Sequence, residues 1–330
     1  MKNKVFAVFA ASLLLLNVAG FSLAAQRNKR PVSKRPAKVK QANQLVALLP
    51  ASDAIVAIDS KRFVNNALPK LLSANQPLLS QITAKLDEVQ QKTGIDLRQF
   101  EQVAAGFTMK QGTGKDVDFD PVVIARGDIN AGALVALAKV ASNGKYREEK
   151  IGERTVYVFS PKDLAKQHAT VTGNQKVAGA IDRTIDGLVD EIAIASIDAN
   201  TMALGSLSRV RQTLQTKTHV GLELTSLLSK KPTAIASFAA KTPAGMSKLL
   251  PLDNDELGAT VDSIRFVSGS MDMTEGNAVL QMMARTVKPE QAQSLLETLQ
   301  GLQMVGKAFL GGAKGADKQV YARLIDSVKF

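Results

Sequence analysis

The order strand, helix, hairpin, helix occurs twice in this chain, and that order restricts the fold more than any single motif. In the first pass, Ala54-Ile55-Val56-Ala57-Ile58 is a short β-branched run that predicts a buried strand. Residues 77–93 then place Leu78, Leu79, Ile82, Leu86 and Val89 on one helical face, with Pro77 in the first turn and Gly94 after the last. Residues 103–110 and 121–126 predict paired strands, with Gln111-Gly112-Thr113-Gly114-Lys115 opening the loop between them, and Asn130 caps a helix to Val140. In the second pass, residues 233–239 predict a strand followed by a short helical stretch. Residues 263–273 and 277–286 then form a hairpin across Glu275-Gly276, and Pro289 opens a helix to about Phe309. Hairpins joined by helices predict an α+β fold: an antiparallel sheet with helices packed on one face and an imperfect internal duplication. The strict β-α-β alternation of a doubly wound parallel sheet is missing.

Between the two passes lie strands at 155–159 and 188–197. The second turns through Asp198-Ala199-Asn200-Thr201 into 202–204, and Ser206 or Ser208 then caps a helix to about Thr216. Residues 160–187 read as a surface excursion. The expected organisation is a signal peptide over 1–25, a basic disordered tail over 26–42, a first α+β unit over 43–217 and a second over 218–330. The first unit opens on a short helix stopped by Pro50. The second closes on a glycine joint at 311–315 and a last helix over 317–328.

The N-terminus carries an address. Lys2 and Lys4 precede an apolar run from Val5 to Ala19, broken only by Ser12 and Asn17. Gly20 and Ser22-Leu23-Ala24 follow, so a cut after Ala24, or after Ala25, fits a secretory signal peptide. Arg27, Lys29, Arg30, Lys34, Arg35, Lys38 and Lys40 come next, and cations just after an apolar run favour the alternative of an uncleaved inner-membrane anchor. The run lacks a following cysteine, which excludes a lipoprotein anchor.

Charge separates tail from body. The formal net charge is +12, yet nine basic and no acidic residues fall in the first 40 positions, leaving 33 basic against 30 acidic residues in the rest. A basic footprint confined to a tail gives no reason to expect a nucleic-acid partner. The absence of cysteine excludes disulfides, zinc–thiolate sites, iron–sulfur clusters and thiol nucleophiles. No tryptophan and only three tyrosines argue against an aromatic sugar-binding platform.

Several local patterns invite chemistry and fall short of it. Gly301 to Lys307 has phosphate-loop spacing, but Ala308 stands where Ser or Thr would hold magnesium, and the glycines lie within a helical pattern. Gly112-Thr113-Gly114-Lys115 sits in a hairpin loop with no helix to follow. His168 and His219 lie in polar surroundings, and no Gly-x-Ser-x-Gly elbow accompanies them. Asp116, Asp118 and Asp120 alternate like the start of a calcium loop, but Pro121 and Gly127 occupy the positions that need Gly and Glu. Asp253 to Glu256 suits a helix start. Met271, Met273, Met282 and Met283 gather on the late hairpin, where core filling competes with a copper site.

Leu49-Pro50-Ala51-Ser52-Asp53 opening into an apolar strand, and Leu204-Gly205-Ser206 between a strand and a helix, resemble a class of exported bacterial proteins of unknown function. The resemblance covers about residues 45–216. It implies an envelope location and a repeated α+β domain, and it carries no catalytic residues. The expectation is an exported, non-enzymatic envelope protein, periplasmic or extracellular, with a binding or structural role and an unknown ligand. No cofactor is expected. The tail from Arg27 to Lys40 would meet an anionic polymer or membrane surface. The alternative is an enzyme whose site is assembled from scattered carboxylates and lysines.

Overall fold

The computed structural model describes residues 40–73, 75–93, 96–111, 117–160, 191–215, 219–228, 230–249, 255–274, 277–310 and 327–330. Its ten strands form one antiparallel sheet. They are β1 (Ala54–Asp59), β2 (Phe100–Gln111), β3 (Val117–Gly127), β4 (Tyr146–Ile151), β5 (Arg154–Phe159), β6 (Ile192–Asp198), β7 (Thr201–Gly205), β8 (Ala236–Lys241), β9 (Ile264–Thr274) and β10 (Asn277–Thr286). The spatial order is β10-β9-β8-β1-β2-β3-β7-β6-β5-β4. The expected α+β fold with an antiparallel sheet is what the chain adopts.

The helices are α1 (Lys40–Ala47), α2 (residues 60–71, with a π-helical middle at Phe63–Ala67), α3 (Gln76–Thr93), α4 (Ala131–Ala141), α5 (Leu207–Gln215), α6 (Leu222–Leu228), α7 (Asp255–Asp262) and α8 (Pro289–Leu310). α1 begins at the last cation of the basic run. The main helical layer lies on one face. There Leu45, Val46 and Leu49, Val210 and Leu214 of α5, and Leu224, Leu227 and Leu228 of α6 close over Ile55, Ile124, Val156 and Val158. Small residues on the middle strands, Ala104, Ala193, Ala195 and Ala203, let these helices approach the sheet closely.

The opposite face is covered in two places as well, so helices flank both faces. Phe63 and Ala67 of α2 pack on Ile235 and Met271, and Val135 of α4 packs on Phe159 and Ile194. The reason is visible in the strands. Alternate positions such as Ile58, Ile194 and Phe159 are apolar on this second face too, so neither face can be left wholly to water.

Pro121 falls inside β3 rather than at its start. It stands opposite Phe107 of β2, while β7 pairs with β3 only from Val122 onward, so the missing N–H lies one residue beyond that ladder. Asn130 caps α4 as its side chain predicts, accepting from Ala133 N at 3.0 Å. Asn130→Ala should therefore cost about 1 kcal/mol. Urea denaturation with unchanged slope and a lower midpoint checks it.

The two passes of strand, helix, hairpin and helix occupy opposite sides of one seam. β1-β2-β3 runs out from it in one direction and β8-β9-β10 in the other, and the antiparallel pair β1–β8 is the seam itself. β4 to β7 extend the sheet beyond β3.

Candidate functional site

The two short motifs noted above meet in space. Gly205 ends β7, where an added Cβ would lie 2.4 Å from the Pro121 carbonyl oxygen, so only glycine passes there. Ser206 then starts α5, its Oγ accepting from Arg209 N at 3.3 Å. One helical turn on, Arg209 shares the inward face with Val210, Thr213 and Leu214. It is 2% exposed.

Its guanidinium reaches the Leu49-Pro50-Ala51-Ser52-Asp53 segment, 157 positions away at Ser52. Nη1 donates to the Ala51 carbonyl at 2.7 Å and to Gln212 Oε1 at 2.9 Å; Nη2 donates to Ser52 Oγ at 2.7 Å. Nε is buried without a hydrogen-bond partner among the described residues. Ser52 Oγ in turn donates to the Pro50 carbonyl at 2.8 Å. Gly106 lies beneath, where a Cβ would stand 2.6 Å from Ser52 Oγ. Asp53 completes the join: its Oδ2 accepts from Met109 N at 3.0 Å, its N–H donates to Phe107 O at 2.8 Å, and its carbonyl accepts from Lys241 N at 2.7 Å. One residue thus ties β1 to β2 and β8.

Burial pulls the Arg209 guanidinium below its ordinary pKa, opposed by the charges of Asp120 and Asp53. It remains a cation, because arginine does not lose its proton in proteins. The Ser52 hydroxyl donates to the Pro50 carbonyl and accepts from Arg209, so among the described residues no base activates it as a nucleophile. This cluster fastens the chain entering β1 to the helix leaving β7. Its chemistry is that of a latch.

A second polar place is a cleft of about 390 Å³ between α4 and β5–β6, lined among others by Val135, Lys139, Arg154, Tyr157 and Ser196. Lys139 Nζ lies 3.9 Å from the Tyr157 ring centre and 5.1 Å from that of Tyr146, and 3.2 Å from Glu148 Oε1. Burial acts to lower its pKa, but the hydrogen bonds to Glu148 and Tyr157 and the electrostatic interaction with the two phenols outweigh it, and the net shift is upward. A lysine nucleophile or general base needs the opposite shift. Lys139 is a fixed cation braced on two rings.

The other sequence candidates separate. Gly301 lies inside α8, not at a helix start after a strand. His219 is exposed, and His168 and the Gly112–Lys115 loop fall outside the described residues. Asp120 Oδ2 accepts from Ser208 Oγ at 3.3 Å. Among the described residues no group of three His, Cys, Asp or Glu side chains is placed to hold a metal ion. Met271 is buried against Phe63, while Met283 lies on the other side of the hairpin, its sulfur 3.2 Å from Lys230 Nζ. The methionines are therefore not gathered around one point. Ala24, Ala25 and Arg27 to Lys38 fall outside the described residues. So do 161–190 and most of the expected last helix. Among the described residues no helix is long and apolar enough to cross a membrane.

Arg209 has no local motif to single it out. The available signal was its spacing: positions 209, 210, 213 and 214 form one helical face, and an arginine in an otherwise apolar stripe needs partners indoors.

Comparison with known proteins adds little to this geometry. No family model matches the chain, and no curated protein matches it. Among solved structures the chain is similar to TP0453 in its crystal form III, at 8% sequence identity and a TM-score of 0.39, over 82% of this chain and 89% of that one. A likeness of that degree carries no functional argument.

Proposed function

We propose that this chain is an exported protein of the bacterial envelope, with a folded body that binds or assembles rather than catalyses. The carrying observation is the division of the sequence. Cations, an apolar run and small residues come first; seven further cations from Arg27 to Lys40 follow; the body after them is almost neutral. The tail concentrates attraction for an anionic polymer or lipid surface at one end of the molecule, and that attraction weakens as salt rises. The two polar clusters fit a binding body, since Arg209 holds chain segments together and Lys139 is braced against Tyr157 and Glu148.

The N-terminal sequence and intact mass of the protein from fractionated native cells test the reading. A start at Ala25 or Gln26 outside the cytoplasm is the expected result. An intact Met1 in the membrane fraction would replace export with an uncleaved anchor, which the cations directly after the apolar run would favour. Changing the seven tail cations to glutamine tests the tail separately. Retention on anionic vesicles should be lost, and wild-type retention should fall steeply between about 0.05 and 0.5 M salt.

A further inference from the structure

The two edges of the sheet are built differently. β4 carries Arg147, Glu148, Glu149 and Lys150 within six residues. Charge at that density guards an open edge against pairing with another strand. β10, at the other end, runs for ten residues with Arg285 as its single charge. Its side chains are apolar and exposed on both faces of the sheet: Val279 and Met283 on one, Leu280 at 54% and Met282 at 63% on the other. Among the described residues no strand lies beyond it. A long, nearly uncharged apolar edge is a template for strand addition.

We propose that β10 pairs with β10 of a second copy of this chain, antiparallel about a two-fold axis through Gln281, so that two sheets become one. The sequence of β10 complements itself in this register. Val279 faces the second copy's Met283 and Leu280 faces its Met282, while Gln281 faces its own copy and Arg285 meets Asn277. Directly opposed residues share a face, so apolar pairs close on both sides of the joined sheet and no two like charges oppose each other. Shifting the axis by one residue to Met282 sets Arg285 against Val279 and Gln281 against Met283, and shifting it to Leu280 sets Val279 against Gln281. Of these three registers, the one centred on Gln281 pairs apolar with apolar and polar with polar along the strand. α8 packs against β10, and Leu302, Met304 and Val305 are exposed on that helix, apolar area from which the pairing could draw toward the roughly 800 Å² per partner that stable dimers bury. The pairing is independent of whether the chain is exported.

Sedimentation velocity of the purified full chain tests the proposal, and the absence of cysteine makes a register test available. Wild type should sediment as a dimer at tens of micromolar. Leu280→Lys with Met282→Lys should weaken it by at least about tenfold in Kd without altering the circular dichroism spectrum, since both side chains are exposed. Val140→Lys, at a position 75% exposed on α4, should leave the dimer intact. Gln281→Cys places two thiols across the axis, where directly opposed residues stand about 4.5–5.5 Å apart at Cα, within disulfide range. Under mild oxidation this variant should cross-link, and Val140→Cys should not. A monomer at all concentrations overturns the proposal. So does a dimer that survives both lysines or fails to cross-link through Gln281→Cys. A monomer that instead floats with phosphatidylglycerol vesicles overturns it too, and assigns the edge to a lipid surface.

Discussion

Gly127→Ala should destabilise the folded chain by about 3 kcal/mol or more. Gly127 is the last residue of β3, buried where three segments cross. An added Cβ would lie 2.1 Å from the Gln99 carbonyl oxygen and 2.7 Å from Phe100 Cα. Both are backbone atoms, so no side-chain rotation can relieve the overlap. The neighbours are tied in place as well. Gly127 N donates to Asn200 O at 3.2 Å, Asn200 Nδ2 donates to the Gly127 carbonyl at 3.4 Å, and Asp128 N donates to Gln99 O at 2.9 Å. Relief requires the start of β2 to move away from the β6–β7 turn. Gly301→Ala is the matched control. It lies inside α8 with nothing within 4 Å of the added Cβ, so removing glycine should stabilise by about 0.5–1 kcal/mol. Thermal unfolding of the two variants should move in opposite directions; equal shifts would mean that β2 yields easily at Gln99.

Arg209→Ala should cost about 3 kcal/mol. The change strands the Ala51 carbonyl and Ser52 Oγ, now without their cationic donor, and empties the space of a buried stem. Arg209→Lys keeps the charge but not the planar fork, which spans Ala51 and Ser52 at once, so it should recover only part of the loss. A double-mutant cycle with Ser52→Ala isolates the join, with a coupling of about 1 kcal/mol or more expected. Additive effects in that cycle would show that the 50–53 segment is held by β1 pairing alone. Because the guanidinium stays charged, the effect should be flat across the pH range in which the protein is folded.

Several elements are legible from local sequence. The β9–β10 hairpin, α3, α8 and the Asn130 cap each announce themselves through periodicity or a capping side chain within a few residues. β4 does not, because its middle four residues, Arg147 to Lys150, are all charged and its packed apolar residues, Tyr146 and Ile151, stand only at its two ends. α6 is seven residues long with Leu222 exposed, too short to establish a helical period. Arg209 and Arg211 look alike in sequence. The helix turns one toward Ser52 and the other toward Glu149 at 2.6 Å on β4, and only the packed sheet distinguishes them. The exposed run on β10 was visible as methionines, but its position at the edge depends on strand order, which is set by pairings far apart in the chain.

The β1–β8 seam also sets a timetable. Val56 and Phe238 stand opposite each other although 182 positions separate them. While the chain is being made, everything through β7 emerges before β1 can find its second neighbour. During that interval a central strand behaves as an open edge, with Ile55 and Ala57 short of part of their cover. Fragments ending before Ala236 should therefore clump or recruit chaperones, and assembly of the complete chain should be slow, as is usual where distant segments must meet. On the export proposed above, lateness of this kind would keep the chain unfolded until it has crossed the membrane.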